Sequence, residues 1–364
     1  MADYVEFLVA DPDTHAIALI VQTIRRPEAF FAAAQQAAAA GKPVTMLKLT
    51  RGHRYPSSEE LDPAENLWMF DIALRQSGIT VVADPGELLD RLTHPTRSYR
   101  DPLRPIPATP NPLRQREPEP RRLPRDLVTF PRTRETAPSV AALPRPLATT
   151  TPLPGGRLLP FEATMEVLGR AGIPVAPYHV VRDDDPVAVR MPFPGPYTLR
   201  LADTRDLQAR ATSREDVSVQ ELASAVRGLR AIATEYYVPP VVVVQPHLEI
   251  LAQCFVGLLP NSELGSMVIF GAGGGVAEET PVGGRMAPLS LQDARSLIGE
   301  FDDVAGDGWN GYEREALAGI LTAAGRLAVA ARGWMRSLDI NALVCTGSGF
   351  LVTDAFCLLQ EDDR

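Results

Sequence analysis

The 364 residues exceed the ~250–300 at which single cores stop growing, so two domains are expected. A formal net charge of −9 at pH 7 lacks the basic footprint of a nucleic-acid binder. No run approaches the ~20 apolar residues of a membrane span, so no membrane partner is expected either.

The chain opens on Met1-Ala-Asp-Tyr-Val-Glu, without a basic stretch and apolar core, so no signal peptide is expected. Ala16 to Gln22 is a short apolar run, read as a buried strand. Glu28 to Ala40 is Ala-rich and helical, with Gly41 as its stop. Val44 to Leu49 reads as a second strand. Pro63 opens a helix to about Ser77, capped by Gly78. Ile79 to Ala83 is a third strand and Pro85 to Leu92 a last short helix. Strands separated by helices imply right-handed crossovers and a parallel sheet, here a thin one: an α/β domain over residues 1–95, part of a flavodoxin-like fold.

Residues 96–157 are dominated by Pro and Arg, as in Asp101-Pro-Leu-Arg-Pro-Ile-Pro and Glu117-Pro-Glu-Pro-Arg-Arg. Proline has no N–H and a fixed φ, so a semi-rigid linker is expected. A docking segment for a Pro-recognising or acidic partner is the alternative.

From residue 158 to 364 the pattern is globular again. Helices are expected at Pro160–Ala171, Val219–Thr234, Leu291–Glu300 and Tyr312–Ala331. Strands are expected at Val175–Val181, Tyr197–Leu201, Val241–Gln245, Ala252–Leu259 and Ser266–Phe270. Arg336–Val344 and Gly349–Ala355 form a closing pair around Thr346-Gly-Ser-Gly. Strands and helices without strict alternation indicate α+β.

Cys254, Cys345 and Cys357 are odd in number and widely spaced, which argues against a disulfide framework or a zinc site and fits a reducing cytoplasm. Lys42 and Lys48 are the only lysines, so beyond residue 48 no ammonium group can serve as a compact charge for phosphate.

Two sets of segments resemble one known family. Asp11-Pro-Asp-Thr-His-Ala-Ile-Ala-Leu-Ile, Phe30-Phe-Ala-Ala-Ala, Gly41-Lys-Pro-Val-Thr-Met-Leu-Lys-Leu and Ala73-Leu-Arg-Gln-Ser-Gly-Ile are similar to the later part of the succinyl-CoA-ligase-like flavodoxin domain of NDP-forming acyl-CoA synthetases. Val244-Gln-Pro, Phe270-Gly-Ala-Gly-Gly-Gly-Val-Ala-Glu-Glu, Arg285-Met-Ala-Pro-Leu-Ser, Leu338-Asp-Ile-Asn-Ala-Leu and Val352-Thr-Asp-Ala are similar to its ATP-grasp domain. Their order and approximate spacing are shared.

The resemblance implies ATP, Mg²⁺ and CoA chemistry through an acyl-phosphate and a phosphohistidine. It implies that Asn341 and Asp354 ligate Mg²⁺ and that Asp339 faces the phosphohistidine site. Asn341 and Asp354 are oxygen donors of the kind magnesium takes, although on residue types alone they could be turn and edge residues. Gly271, Gly273, Gly274 and Gly275 would let backbone N–H groups approach a phosphate, or simply form a loop. Val243, Val244 and Gln245 would supply the adenine hinge, which a plain core strand could also do.

The departures are chemical. Arg200 stands where the family has a phosphate-binding lysine, and a planar fork is not a point charge. Gln253 replaces a glutamate, and Asn341-Ala-Leu replaces Asn-Pro-Leu. The loop expected to hold the histidine reads Gly52-His-Arg-Tyr-Pro-Ser-Ser, in which His53 comes early and no Thr-Gly follows. The family's CoA-binding Rossmann domain has no counterpart. One reading is therefore a ligase, or one chain of a split ligase, binding Mg-ATP while a separate chain supplies the CoA site and the histidine. The other is a non-catalytic binding protein that keeps the fold. An ATP-grasp ligase with another nucleophile, such as an amine, is a third.

Overall fold

The computed structural model describes residues 1–22, 24–48, 72–74, 76–82, 84–93, 151–153, 156–182, 191–204, 212–262, 264–272, 282–301 and 311–360. The chain divides into two compact units. One is built on Met1–Ile106, with Asn261–Met267 and Gly284–Ala287 grouped to it; the other comprises the remainder.

The first unit runs α1 (Ala2–Ala10), β1 (Ile17–Val21), α2 (Pro27–Ala39), β2 (Val44–Lys48), β3 (Ile79–Val82) and α3 (Pro85–Thr93). Its three strands pair in parallel in the order β1-β2-β3, with Ile17 opposite Val44 and Val44 opposite Ile79. The thin parallel sheet expected from the sequence is thus present. Pro27 starts α2 where a missing N–H costs nothing. Gly41 ends it at φ 73, a conformation that favours glycine. Gly78 takes φ 74 and lies so close to α2 that an added Cβ would stand 3.0 Å from that of Ala38.

Helix α1 was not anticipated. Ala2 and Val5 are buried, but Tyr4 and Phe7 are 75% and 70% exposed, so its apolar residues do not mark one stripe. Tertiary contacts hold it instead. Lys42 Nζ donates to the carbonyls of Leu8, Val9 and Asp11 at 3.1, 2.7 and 2.6 Å, closing its C-terminal end.

Among the described residues from Thr151 onward there are two sheets. Strands β4 (Thr151–Leu153), β5 (Gly156–Leu159), β10 (Ala252–Ser262), β11 (Gly265–Ala272), β12 (Val282–Met286), β13 (Met335–Thr346), β14 (Gly349–Val352) and β15 (Ala355–Leu359) form the larger, in the order β12-β11-β10-β13-β15-β5-β4, with β14 on β13. Strands β6 (His179–Val181), β7 (Tyr197–Leu201), β8 (Ser213–Val217) and β9 (Val242–Pro246) form the smaller, ordered β6-β9-β7-β8 and antiparallel throughout. The helices of this stretch are α4 (Phe161–Arg170), α5 (Leu222–Glu235), α6 (Leu291–Gly299) and α7 (Gly311–Ala330). A capping box between Ser290 and Asp293 starts α6.

The small sheet is two-faced because β7 alternates. Tyr197, Leu199 and Leu201 are buried and cluster with Leu222, Val226 and Leu229 of α5 and with Val242 and Val244 of β9. The alternate residues Thr198 and Arg200 therefore point away from α5.

The closing strand pair differs from expectation. The ladder with β14 ends at Val352, Thr353 and Asp354 interrupt it, and β15 continues on the other part of β13. All five residues of β15 are buried, as an apolar run flanked by β13 and β5 requires. Strand β4 and the first half of β5 occupy residues read from the sequence as the end of the linker: Thr151 pairs with Leu158, and β5 joins the sheet through β15. The rest of that linker lies outside the described residues. Among the described residues, no helix is long and apolar enough to cross a membrane.

Candidate functional site

Alternation on β7 and the register with β9 assemble the site. Arg200 lies opposite Val243, and Thr198 opposite Gln245. Val243 and Gln245 alternate with Val242 and Val244, which belong to the core under α5. Arg200 and Gln245 therefore share the face turned away from that core. Arg200 Nη2 donates to the Gln245 side-chain oxygen on this face.

The same two side chains reach the large sheet. Arg200 Nη2 also donates to the Thr353 carbonyl, and Gln245 Nε2 donates to that carbonyl at 3.1 Å. Arg200 Nη1 lies 3.9 Å from Asp354 Oδ2, with the two side chains 15% and 13% exposed. At that exposure the pair is poorly screened by solvent. Gln245 is 2% exposed, and its bonds answer the demand that a buried amide be satisfied.

The break between β14 and β15 brings Asn341 to this place. Its N–H donates to the Asp354 carbonyl at 3.0 Å, and the Thr353 N–H donates to Ala342 O at 3.0 Å. Asn341 is thus in the middle of β13 rather than at a strand end, and its side chain is exposed. Asp339, two residues earlier, shares its side of β13 and sits opposite Gly257 and Phe356.

Five of the anticipated residues, Arg200, Val243, Gln245, Asn341 and Asp354, are therefore neighbours by strand register or by a direct bond. Val244 is not among them, since its side chain lies in the core below. The ladder with β6 ends at the His179–Val244 pair, so of the three residues expected to form an adenine hinge Gln245 alone lies past it. Gly271 is near the end of β11. Gly273, Gly274, Gly275 and His53 lie outside the described residues. Gln253 pairs with Val344 within the β10–β13 ladder.

Two participants carry no sequence signal. Thr353 acts through its backbone carbonyl, which every residue possesses. His247, exposed past the end of β9, has Nδ1 3.0 Å from Thr198 Oγ1, and its N–H donates to Pro196 O at 2.8 Å.

A cavity of about 10 Å³, room for one water, lies beside the cluster, lined among others by Asp203, Thr204 and Asp354. Asp203 Oδ1 accepts the Phe161 N–H at the start of α4 at 2.7 Å. Burial raises its pKa above the usual carboxylate value, against the lowering effect of that bond and of Arg182. The thiols are also raised: burial pushes Cys345 up to about 11 and Cys254 and Cys357 higher still, as expected of inert core residues.

Among the described residues, no group of three or more His, Cys, Asp or Glu side chains is placed to hold a metal ion. The carboxylate implied as a magnesium ligand, Asp354, already faces the Arg200 guanidinium. Among the described residues the arrangement does not fit a resident divalent cation: the ion would share the Asp354 carboxylate with a fixed positive charge.

Residues 1–94 match the family described as "Succinyl-CoA ligase like flavodoxin domain", and residues 154–359 match the family described as "ATP-grasp domain". A trans-feruloyl-CoA synthase from an unknown prokaryotic organism is 64% identical over 45 residues, a stretch covering 12% of this chain and 6% of that protein. A solved protein of Pyrococcus horikoshii, 20% identical, covers 57% of this chain and 94% of its own with a TM-score of 0.51, which shows a shared fold. The dinucleotide forming acetyl-coenzyme A synthetase 1 of Ca. Korarchaeum cryptofilum, solved with coenzyme A and Ca-AMPCP, is 23% identical over 57% of this chain and 95% of its own, with a TM-score of 0.49.

Proposed function

The chain belongs to the ATP-grasp domain family and carries a succinyl-CoA-ligase-like flavodoxin domain ahead of it, the make-up of NDP-forming acyl-CoA synthetase-like proteins; from this premise we propose that it is the ATP-binding part of an acyl-CoA ligase. The observation that carries the proposal is the shared face of β7 and β9, where Arg200 and Gln245 stand together against the Thr353–Asp354 segment of the large sheet.

On this reading the base lies along Val243–Gln245 and the phosphates lie toward Arg200. The guanidinium is permanently charged, and its bonds to Gln245 and Thr353 hold it in place before a ligand arrives. A separate chain supplies the CoA site and the phosphohistidine, and Asp339 lies on the side of β13 where that histidine would approach. The likeness of one short segment to a feruloyl-CoA synthase supports an acyl-CoA product without naming the acid.

A second reading is favoured by one feature. Asp354 is neutralised by Arg200, which suits a non-catalytic protein that binds nucleotide and transfers nothing.

The test is a thermal melt of the full chain with and without ATP or GTP. A nucleotide at a hundred times its dissociation constant adds ~2.7 kcal/mol. No shift at millimolar nucleotide would remove the proposal. Acid-dependent ADP release, after adding a chain that carries a CoA-binding domain and a His-Thr-Gly loop, selects the ligase; binding without release selects the second reading.

A further inference from the structure

We propose that Arg200 does at this site what a magnesium ion would otherwise do, so that nucleotide binds here without a divalent cation. The inference rests on the nucleotide-binding reading above and specifies the counter-charge at that site.

A metal at such a site has two electrostatic tasks. It neutralises the carboxylate that would repel phosphate, and it draws the phosphate oxygens in. Asp354 is that carboxylate, and Arg200 Nη1 is already 3.9 Å from its Oδ2. The pair as a whole is neutral, so Asp354 itself presents no net negative charge to an approaching phosphate even when no cation is present.

The guanidinium is fixed in place. Its Nη2 is held by the Gln245 side-chain oxygen and by the Thr353 carbonyl, on opposite sheets. Swinging away would leave Gln245, 2% exposed, without this donor. Arginine also cannot give up its proton to make room, as a buried lysine can.

A magnesium ion bound to Asp354 Oδ2 at ~2.1 Å would lie within about 6 Å of Arg200 Nη1. Two like charges would then face each other where both side chains are largely withdrawn from solvent. The ion pair of Arg200 and Asp354 thus has a physical role at this site. The counter-charge at this site is covalently part of the chain.

The experiment is calorimetric titration of the full chain with ATP, in magnesium and in EDTA, repeated with Arg200→Lys and Asp354→Asn after checking that both variants melt cooperatively. The expected result for the wild type is a dissociation constant within about threefold in the two buffers. Arg200→Lys, whose ammonium cannot reproduce the fork, should bind at least tenfold more weakly in EDTA than in magnesium. Asp354→Asn, with no carboxylate to neutralise, should remain indifferent to EDTA. Wild-type binding that needs magnesium overturns this inference and leaves the nucleotide reading intact. Loss of binding in both buffers overturns that reading as well. Wild-type indifference retained in Arg200→Lys removes Arg200 from the explanation, and the inference fails.

Discussion

Gln245 and Thr353, 108 residues apart, are joined by a 3.1 Å hydrogen bond from the Gln245 amide to the Thr353 carbonyl. The bond links the small sheet to the large one beneath the ion pair of Arg200 and Asp354. It makes Gln245 a structural residue.

Gln245→Leu should therefore destabilise the chain. The substitution keeps approximate volume but removes the acceptor for Arg200 and one donor to Thr353. The expected loss is about 1–3 kcal/mol, the range for leaving a buried polar partner unsatisfied. Urea denaturation measures it. An unchanged midpoint would mean the two sheets do not depend on this tie.

Asp203 should make stability fall as pH rises. Its folded pKa is raised, chiefly by burial, so the folded chain holds the proton more tightly than the unfolded one. Its contribution is fully present below the ordinary value of 3.8 and is lost as pH climbs through the folded value. Asp203→Asn keeps an oxygen for the Phe161 N–H and tolerates the observed φ of 57. The variant should melt higher than the wild type at pH 7 to 8, with the gain vanishing in acid. A gain of equal size at every pH would assign the effect to something other than the charge.

Lys42 should anchor α1. Lys42→Met keeps the aliphatic stem but leaves the carbonyls of Leu8, Val9 and Asp11 without the ammonium group. A loss of about 1–2 kcal/mol is expected from these bonds and from the charge at a helix C-terminal end. Hydrogen exchange should show it as faster exchange of α1 amides with little change in β10 or β13. Unaltered α1 protection would show that packing on α2 suffices.

Much of this architecture is legible in the residues. The alternation of Tyr197, Leu199 and Leu201 announces the buried face of β7 and hence the side on which Arg200 stands. Gly41 and Gly78 mark the turns where φ is positive, and the βα spacing gives the parallel sheet. Local preference determines such features, because a strand's two faces and a helix's end depend on neighbours a few residues away.

The partners of Arg200 depend on the tertiary structure. Thr353 lies 153 residues further along, acts through a carbonyl common to all residues, and is carried to the site on β13, to which it is bonded between β14 and β15. Helix α1, whose apolar residues show no stripe, likewise forms where α2 and Lys42 receive it. The sequence alone determined which side chains each element offers and on which face. Only the packing of one sheet against another decided that a guanidinium, an amide and a carboxylate would meet, because that meeting depends on long-range contacts that no local periodicity records.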